Sequence, residues 1–128
     1  EVEFAPLSRM EAWGVAPLRW DPRLAAAADR WARELARTDR WGHSPDGARG
    51  DQGENLWMGT ASAFPLQAMV GSWKQERRWL RPGHFPAVST TGRWKDVGHY
   101  TQMISSRTTH VGCALRSNAR WSYFVCRY

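Results

Sequence analysis

The amino-acid sequence predicts an α+β fold in a single domain, residues 1–128. Its length is that of one domain with a sizeable buried core. Apolar residues at helical spacing dominate the first part of the chain, whereas strand-like segments follow one another near its end. No run approaches the ~18 apolar residues of a membrane helix, so we expect no transmembrane segment.

Three helices are predicted in the first two thirds of the chain. The first covers residues 1–14 and ends at Gly14. The second begins at Asp21 as N-cap, with Pro22 at the first helical position. The third covers Ser62–Leu80. The apolar stripe of the second helix consists of Leu24, Ala28, Trp31 and Leu35. The short segment "APLRW" before it is predicted to be a connector.

Two long loops and three strands complete the prediction. Gly, Asp and Asn are frequent in Trp41–Gly59, and Pro, Gly, Ser and Thr in Arg81–Lys95, so both are predicted to be loops. The strands are predicted at Val97–Ile104, His110–Leu115 and Arg120–Arg127. Because they follow one another closely, we expect an antiparallel meander.

The chain is strongly basic, with a formal net charge of +6. A genome that favours arginine codons would explain this charge, and so would an anionic partner such as a cell-wall polymer or a lipid head group. The arginines are scattered from Arg9 to Arg127 rather than gathered in one block. This scatter argues against a specific nucleic-acid partner.

Cys113 and Cys126 lie in the two predicted strands that flank the turn signal "SNA". A turn centred near Ala119–Arg120 would place them opposite each other. A disulfide there would stabilise the fold by about 3 kcal/mol and would indicate an extracytoplasmic compartment. Two reduced, buried thiols are the alternative.

Four polar residues stand where the local sequence is apolar or rich in glycine. They are His43 in "WGHS", Glu54 in "GENLW", Glu76 on the stripe of the third helix, and His99 in a predicted strand. Each also has a structural explanation: a hydrogen-bonded core histidine, a carboxylate that caps loop amides, or an ion pair with arginine. The sequence contains no histidine pair at i, i+4 spacing and no CxxC. It therefore has no local metal-binding motif.

One longer segment and six short ones occur in an order typical of a known family: "GVAPLRWDPRLAAAADRWA", then "HS", "GENL", "SWKQE", "GHYTQ", "VGCA" and "YFVCRY". With them the chain resembles the CAP superfamily, which includes cysteine-rich secretory proteins, antigen 5 and pathogenesis-related class 1 proteins. The resemblance extends over most of the chain and is closest to plain bacterial members.

This resemblance implies a three-layer α-β-α sandwich with a central antiparallel sheet. It also implies a cleft with two histidines and two glutamates, which are His43, Glu54, Glu76 and His99 here. His43 and His99 would bind a divalent cation, zinc first and magnesium or calcium as alternatives. The glutamates would hold waters or orient the imidazoles. A Cys113–Cys126 disulfide, an extracellular or periplasmic location and a monomer are further implications.

The sequence departs from the family pattern at two places. After "GHYTQ" the family continues with two aliphatic residues and a Trp, whereas Met103 and Ile104 are followed here by Ser105 and Ser106. The family's His-Asn pair in the first helix is missing, since Ala5–Leu7 fall there. These departures put family-specific partner or lipid contacts in doubt.

The resulting functional hypothesis is a secreted binding or scaffold module for a sterol, another lipid or an anionic cell-surface ligand. The alternative is a hydrolase, either metal-assisted or with Ser44 beside His43 as the nucleophile. A glycan hydrolase that uses Glu54 and Glu76 is a third hypothesis.

Overall fold

The computed structural model describes residues 18–105 and 107–128. Within them lie four α-helices and four β-strands. In chain order they are β1 Arg19–Trp20, α1 Pro22–Thr38, α2 Asp46–Arg49, β2 Glu54–Thr60, α3 Leu66–Lys74, α4 Gly98–Ile104, β3 His110–Ser117 and β4 Trp121–Arg127. Two 3-10 helices, Gln75–Trp79 and Trp94–Val97, follow α3 and precede α4. The predicted first helix, 1–14, lies outside the described residues.

The four strands form one mixed sheet in the order β1-β3-β4-β2. Strands β2, β4 and β3 are antiparallel neighbours, whereas the two-residue β1 runs parallel to β3. The predicted hairpin is confirmed, and Cys113 lies directly opposite Cys126. Their sulfur atoms form a disulfide, so the alternative of two reduced thiols is wrong.

Helix α1 covers one face of the sheet. The predicted N-cap is confirmed, because the Asp21 carboxylate accepts a hydrogen bond from the Arg23 amide at 2.8 Å. The apolar side of α1 packs with Tyr123 and Val125 of β4 in one buried cluster. At Gly112 of β3 the helix is so close that an added Cβ would lie 2.0 Å from the Ala25 amide nitrogen.

Helices α3 and α4 cover the opposite face. Met69, Val70 and Trp73 of α3 and Met103 of α4 belong to a second buried cluster with Phe124. Residues of β4 alternate between the two clusters, as the two faces of a strand require. Helices on both faces of the sheet give the predicted α+β sandwich.

The prediction of a strand at Val97–Ile104 is wrong. These residues end a 3-10 helix and form α4. The buried positions are Val97, Tyr100 and Met103, which recur every third residue as one face of a helix does. The polar side chains of this segment therefore alternate with apolar ones because some of them line the cleft, and not because the segment is a strand with two faces.

The predicted loop Trp41–Gly59 is wrong for Asp46–Arg49, which forms α2, and for Glu54–Gly59, which belongs to strand β2. The segment starts with two polar residues, Glu54 and Asn55, which are both buried. The Asn55 side chain donates to the His99 carbonyl and to the Tyr128 hydroxyl. Local sequence did not indicate a strand because the partners of these polar groups come from distant segments. In the same way, the predicted connector "APLRW" contains β1.

The predicted helix Ser62–Leu80 is shorter in the structure. Helix α3 begins at Leu66 after Pro65, ends at Lys74, and tightens into the 3-10 helix that contains Glu76. Glu76 thus leaves the apolar stripe and points a carboxylate toward α4. None of the described helices is long and apolar enough to cross a lipid bilayer.

Candidate functional site

A cleft of about 480 Å3 brings together three of the four predicted site residues. His43, Glu54 and His99 line it, together with Asn55, Trp94, Lys95, Gly98 and Gln102. Glu76, the fourth, lies behind His99 and is hydrogen-bonded to it. The loop before α2, the start of β2 and the start of α4 position these side chains.

The Glu54 carboxylate is the centre of the first half of the site. Its Oε1 accepts from His43 Nδ1 at 2.8 Å and from the Ser44 amide at 2.9 Å. Its Oε2 accepts from the Ser44 hydroxyl at 2.7 Å and from Arg127 Nε at 2.6 Å. Only 1% of this side chain is exposed, so the carboxylate is held by protein donors rather than by solvent.

Arg127 also holds the Glu54 carboxylate, although the sequence pattern did not indicate it. Its guanidinium is buried and also donates to the Ser44 hydroxyl at 2.8 Å and to Gln52 Oε1 at 3.0 Å. A buried charge needs such a partner set, because an unpaired one costs several kcal/mol. The available signal was an arginine next to Cys126 in a strand whose other residues are mostly apolar.

These contacts keep Glu54 ionised. Burial alone would raise the pKa of Glu54, but hydrogen bonds from His43 and from the Ser44 hydroxyl and amide, with the charge of Arg127, lower it from an ordinary 4.5 to about 2. Glu54 is therefore a carboxylate at neutral pH and acts only as a hydrogen-bond acceptor.

Glu76 is the centre of the second half of the site. Its Oε1 accepts from the backbone amides of His99 at 2.9 Å and Tyr100 at 3.0 Å, and its Oε2 accepts from His99 Nδ1 at 2.7 Å. These amides belong to the first turn of α4, which has no intrahelical partner for them. Glu76 thus caps α4 and orients the His99 ring at the same time.

Trp73 supports the His99 ring from the side of the core. The two rings are stacked, with centroids 5.8 Å apart and planes 7° apart, and Phe124 stacks behind Trp73. The Trp73 indole is itself held by a hydrogen bond to the Leu56 carbonyl. Packing and hydrogen bonding together leave His99 one orientation.

The carboxylates determine the tautomer of both histidines. A carboxylate can only accept, so Nδ1 of His43 and Nδ1 of His99 carry the proton and donate it. In the neutral ring, Nε2 then has a free lone pair, and it has no hydrogen-bond partner among residues 18–105 and 107–128. This carboxylate–histidine arrangement is the usual way of preparing an imidazole for a metal.

Within the described residues, the cleft lacks the complete donor set of a closed structural metal site. The described part of the chain contains no group of three or more His, Cys, Asp or Glu side chains that could hold a metal ion. Two imidazoles would therefore supply the protein ligands, and water or a ligand would supply the others. Of the two roles expected for the glutamates, the observed contacts are those of orienting acceptors.

The contacts do not indicate hydrolase chemistry. The Ser44 hydroxyl donates to Glu54, so it is not paired with His43 as a nucleophile paired with its base would be. The acid of a glycosidase needs a raised pKa, whereas the pKa of Glu54 is lowered. Glu76 is occupied by three protein donors.

Comparisons with known proteins agree with the fold. The profile of the cysteine-rich secretory protein (CAP) family matches residues 9–128. Pathogenesis-related protein PRMS of Zea mays is 34% identical over 126 residues, which are 94% of this chain and 70% of that protein. Pathogenesis-related protein 1A1 of Solanum lycopersicum is 34% identical over 90% of this chain. The chain spans 61% of the tomato protein.

Solved structures show the same architecture. The crystal structure of NaASP2 with Zn2+ superposes with a TM-score of 0.73 at 24% identity, over 89% of this chain and 60% of that one. An outer surface protein from Borrelia burgdorferi superposes with a TM-score of 0.63 at 16% identity, over 94% and 83% of the two chains. Together with the match over residues 9–128, this shows that the chain belongs to the cysteine-rich secretory protein (CAP) family.

Proposed function

We propose that this chain is a secreted binding module whose cleft holds a divalent cation on His43 and His99. The observation that carries the proposal is the pair of imidazoles in one cleft, each with Nδ1 bound to a carboxylate and Nε2 free. The structure of NaASP2 with Zn2+, a protein of similar fold, makes zinc the first cation to test.

Each residue of the four has a defined task in this proposal. His43 and His99 are the ligands, whereas Glu54 and Glu76 orient them and increase their basicity. A bound cation would supply open coordination positions for an oxygen atom of an extracellular ligand. Lys95, which also lines the cleft, adds a positive charge beside that position. An anionic cell-surface group or a lipid head group would bind the cation and pair with the Lys95 charge.

The disulfide supports the proposed location. Disulfides persist in oxidising compartments and are rare in the cytosol. The Cys113–Cys126 bridge joins neighbouring strands at the centre of the sheet. We therefore infer that the protein works outside the cytoplasm, in the extracellular space or a periplasm.

Isothermal titration calorimetry of zinc at neutral pH tests the proposal. We expect the wild-type chain to bind one ion, and His43→Ala and His99→Ala each to weaken binding at least about tenfold. The matched control is His110→Ala, because His110 is exposed on β3 and, among the residues that the structure describes, its Nδ1 is hydrogen-bonded only to the neighbouring Thr109. Titrations with magnesium and calcium identify the preferred cation.

Binding should also weaken at acidic pH, because a protonated imidazole has no lone pair for a metal. The proposal is overturned by the absence of zinc, magnesium and calcium binding in the folded wild-type chain. It is also overturned if His110→Ala lowers the affinity as much as the cleft variants do.

A further inference from the structure

The positive charge of the chain is concentrated in one segment. Residues 55–95, which include α3 and the 3-10 helix after it, contain six lysines and arginines but one acidic residue, Glu76. The rest of the chain contains twelve lysines and arginines and eleven acidic residues. Most of the net charge of +6 therefore comes from this segment.

The one acidic residue of the segment is turned away from its basic neighbours. The His99 ring and two backbone amides of α4 occupy the Glu76 carboxylate. A 3-10 helix has three residues per turn, so Glu76 and Trp79, both half-buried, share its inner edge. Arg77 and Arg78 lie on the two outer edges, and both are exposed.

Arg77, Arg78 and Arg81 form an exposed surface that we call the arginine ridge. Arg81 is exposed and lies three residues after Arg78, so their Cα atoms are within about 11 Å of each other. Among the residues that the structure describes, no carboxylate pairs with any of the three guanidinium groups. The Arg78 guanidinium lies over the Trp79 ring, 4.0 Å from its centroid, and this contact favours one position of the group.

Helix α1, on the opposite face of the sheet, has no excess of positive charge. With its two caps, residues 21–39, it contains four arginines and four acidic residues. Asp29 pairs with Arg33, and Glu34 pairs with Arg37. The electrostatic field of the molecule therefore attracts an anionic partner to the side of the arginine ridge.

The surface beside the arginine ridge is polar. From Ser72 to Arg78 every exposed side chain is polar, and the Trp79 ring lies under the Arg78 guanidinium. A surface that binds a membrane inserts apolar side chains between the lipids, and this stretch exposes none. The hydroxyl of Ser72 and the amide of Gln75 can instead form hydrogen bonds with sugar hydroxyls. Guanidinium groups bind sulfate, phosphate and carboxylate through paired hydrogen bonds.

We propose that the arginine ridge binds an acidic polysaccharide. The acidic groups of the polymer pair with the three guanidinium groups, and its hydroxyls form hydrogen bonds with Ser72 and Gln75. The location inferred from the disulfide, outside the cytoplasm, favours a glycan over a nucleic acid. This surface uses no metal and no residue that lines the cation cleft, so it goes beyond the proposed cation site and does not rest on it.

Calorimetry on metal-free protein in EDTA at low ionic strength tests this proposal separately from the cation cleft. The probes are dextran sulfate, dextran phosphate, carboxymethyl dextran and uncharged dextran, all of one chain length. We expect at least one acidic dextran to bind at least about tenfold more tightly than uncharged dextran, and its affinity to fall as salt is added. The comparison among the three identifies the preferred acidic group.

Variants locate the site. Arg77→Gln with Arg78→Gln should weaken binding of the preferred acidic dextran about tenfold. Arg23→Gln with Arg30→Gln is the matched control, because it removes the same charge from exposed positions of α1 and should change the affinity less than about twofold. Circular dichroism checks that both are folded. If the first double variant does not fold, Arg81→Gln compared with Arg30→Gln answers the same question.

Four results would overturn the proposal. One is equal affinity for acidic and uncharged dextrans, which would mean that charge is not recognised. Another is an equal loss of affinity in the two double variants, which would mean that binding follows the net charge of the chain. The third is unchanged binding when the arginine ridge is substituted. The fourth is tighter binding of duplex DNA or of phosphatidylserine vesicles than of every acidic dextran, which would assign the surface to another class of partner.

Discussion

At the scale of single residues, two glutamates decide which nitrogen of each histidine is available in the cleft. Glu54 and Glu76 hold the Nδ1 protons of His43 and His99, and this leaves both Nε2 lone pairs free. The same carboxylates also bind backbone amides, so the orientation of each imidazole is tied to the backbone that carries it.

Glu76→Gln tests this role with little change in shape. The amide oxygen can still accept from the amides of His99 and Tyr100, but the amide nitrogen then faces His99 Nδ1 and donates to it. His99 must carry its proton on Nε2, where a cation would bind. We expect zinc affinity to fall about 10–100-fold while the melting temperature changes little.

The matched control is Glu34→Gln, because Glu34 is a half-buried glutamate of α1 that pairs with Arg37 away from the cleft. Nitrogen-15 NMR of the His99 ring reports the tautomer directly. An unchanged zinc affinity in Glu76→Gln would refute the role of orienting acceptor, and a large loss of stability in metal-free protein would show a mainly structural role instead.

At the scale of secondary-structure elements, the contact between α1 and the sheet depends on the absence of one side chain. Gly112 of β3 faces α1, and a Cβ at this position would lie 2.0 Å from the Ala25 nitrogen and 2.5 Å from the Leu24 carbonyl carbon. Both are backbone atoms of the helix, so neither can move aside as a flexible side chain would. The helix can therefore pack this closely only over a glycine.

Gly112→Ala should lower the free energy of unfolding by about 1–3 kcal/mol, because α1 must shift away from the sheet. Gly71→Ala is the matched control, since Gly71 lies inside α3 and an added Cβ meets nothing within 4 Å. It should leave stability unchanged or raise it by up to about 1 kcal/mol. Urea unfolding measures both, and equal effects in the two variants would show that helix propensity rather than packing dominates.

At the scale of the whole molecule, the buried network around Glu54 connects three distant parts of the chain. Glu54 starts β2, Ser44 lies in the loop before α2, and Arg127 ends β4. The network therefore exists only in the folded protein. Because Glu54 is an ordinary exposed carboxyl in the unfolded chain, its protonation is coupled to folding.

The sign of this coupling follows from the pKa. Folding lowers the pKa of Glu54 from 4.5 to about 2, so the unfolded chain binds the proton more tightly. The stabilisation is fully present above about pH 4.5, is lost as the pH falls toward 2, and amounts to about 3 kcal/mol. Urea unfolding of metal-free protein should show a loss of stability in this window.

The free energy of unfolding of Glu54→Gln should depend less on pH over the same window. The hydrogen bond from Arg116 lowers the pKa of Asp29, and this effect contributes equally to both proteins. If Glu54→Gln does not fold, the carbon-13 shift of the Glu54 carboxyl in the wild-type chain gives the same information. A Glu54 midpoint near pH 4.5 in the folded protein would contradict the prediction.

Local patterns were sufficient for α1 and for the hairpin of β3 and β4. An N-cap followed by proline and an apolar stripe describes α1 within its own residues, and the turn between two apolar runs describes the hairpin with its facing cysteines. The order of short motifs also selected His43, Glu54, Glu76 and His99, whose role as a cation site stays a prediction.

Only the tertiary structure decided which secondary structure the polar segments adopt. Residues 98–104 are helical because the Glu76 carboxylate caps backbone amides of the first helical turn, which have no partner within the helix. Residues 54–60 are a strand because β4 supplies the partner strand. Sequence periodicity reports which side chains are buried, but it does not report a hydrogen-bond partner that lies far along the chain. The sequence by itself therefore determined the apolar framework, and the fold determined the elements and contacts of the cleft.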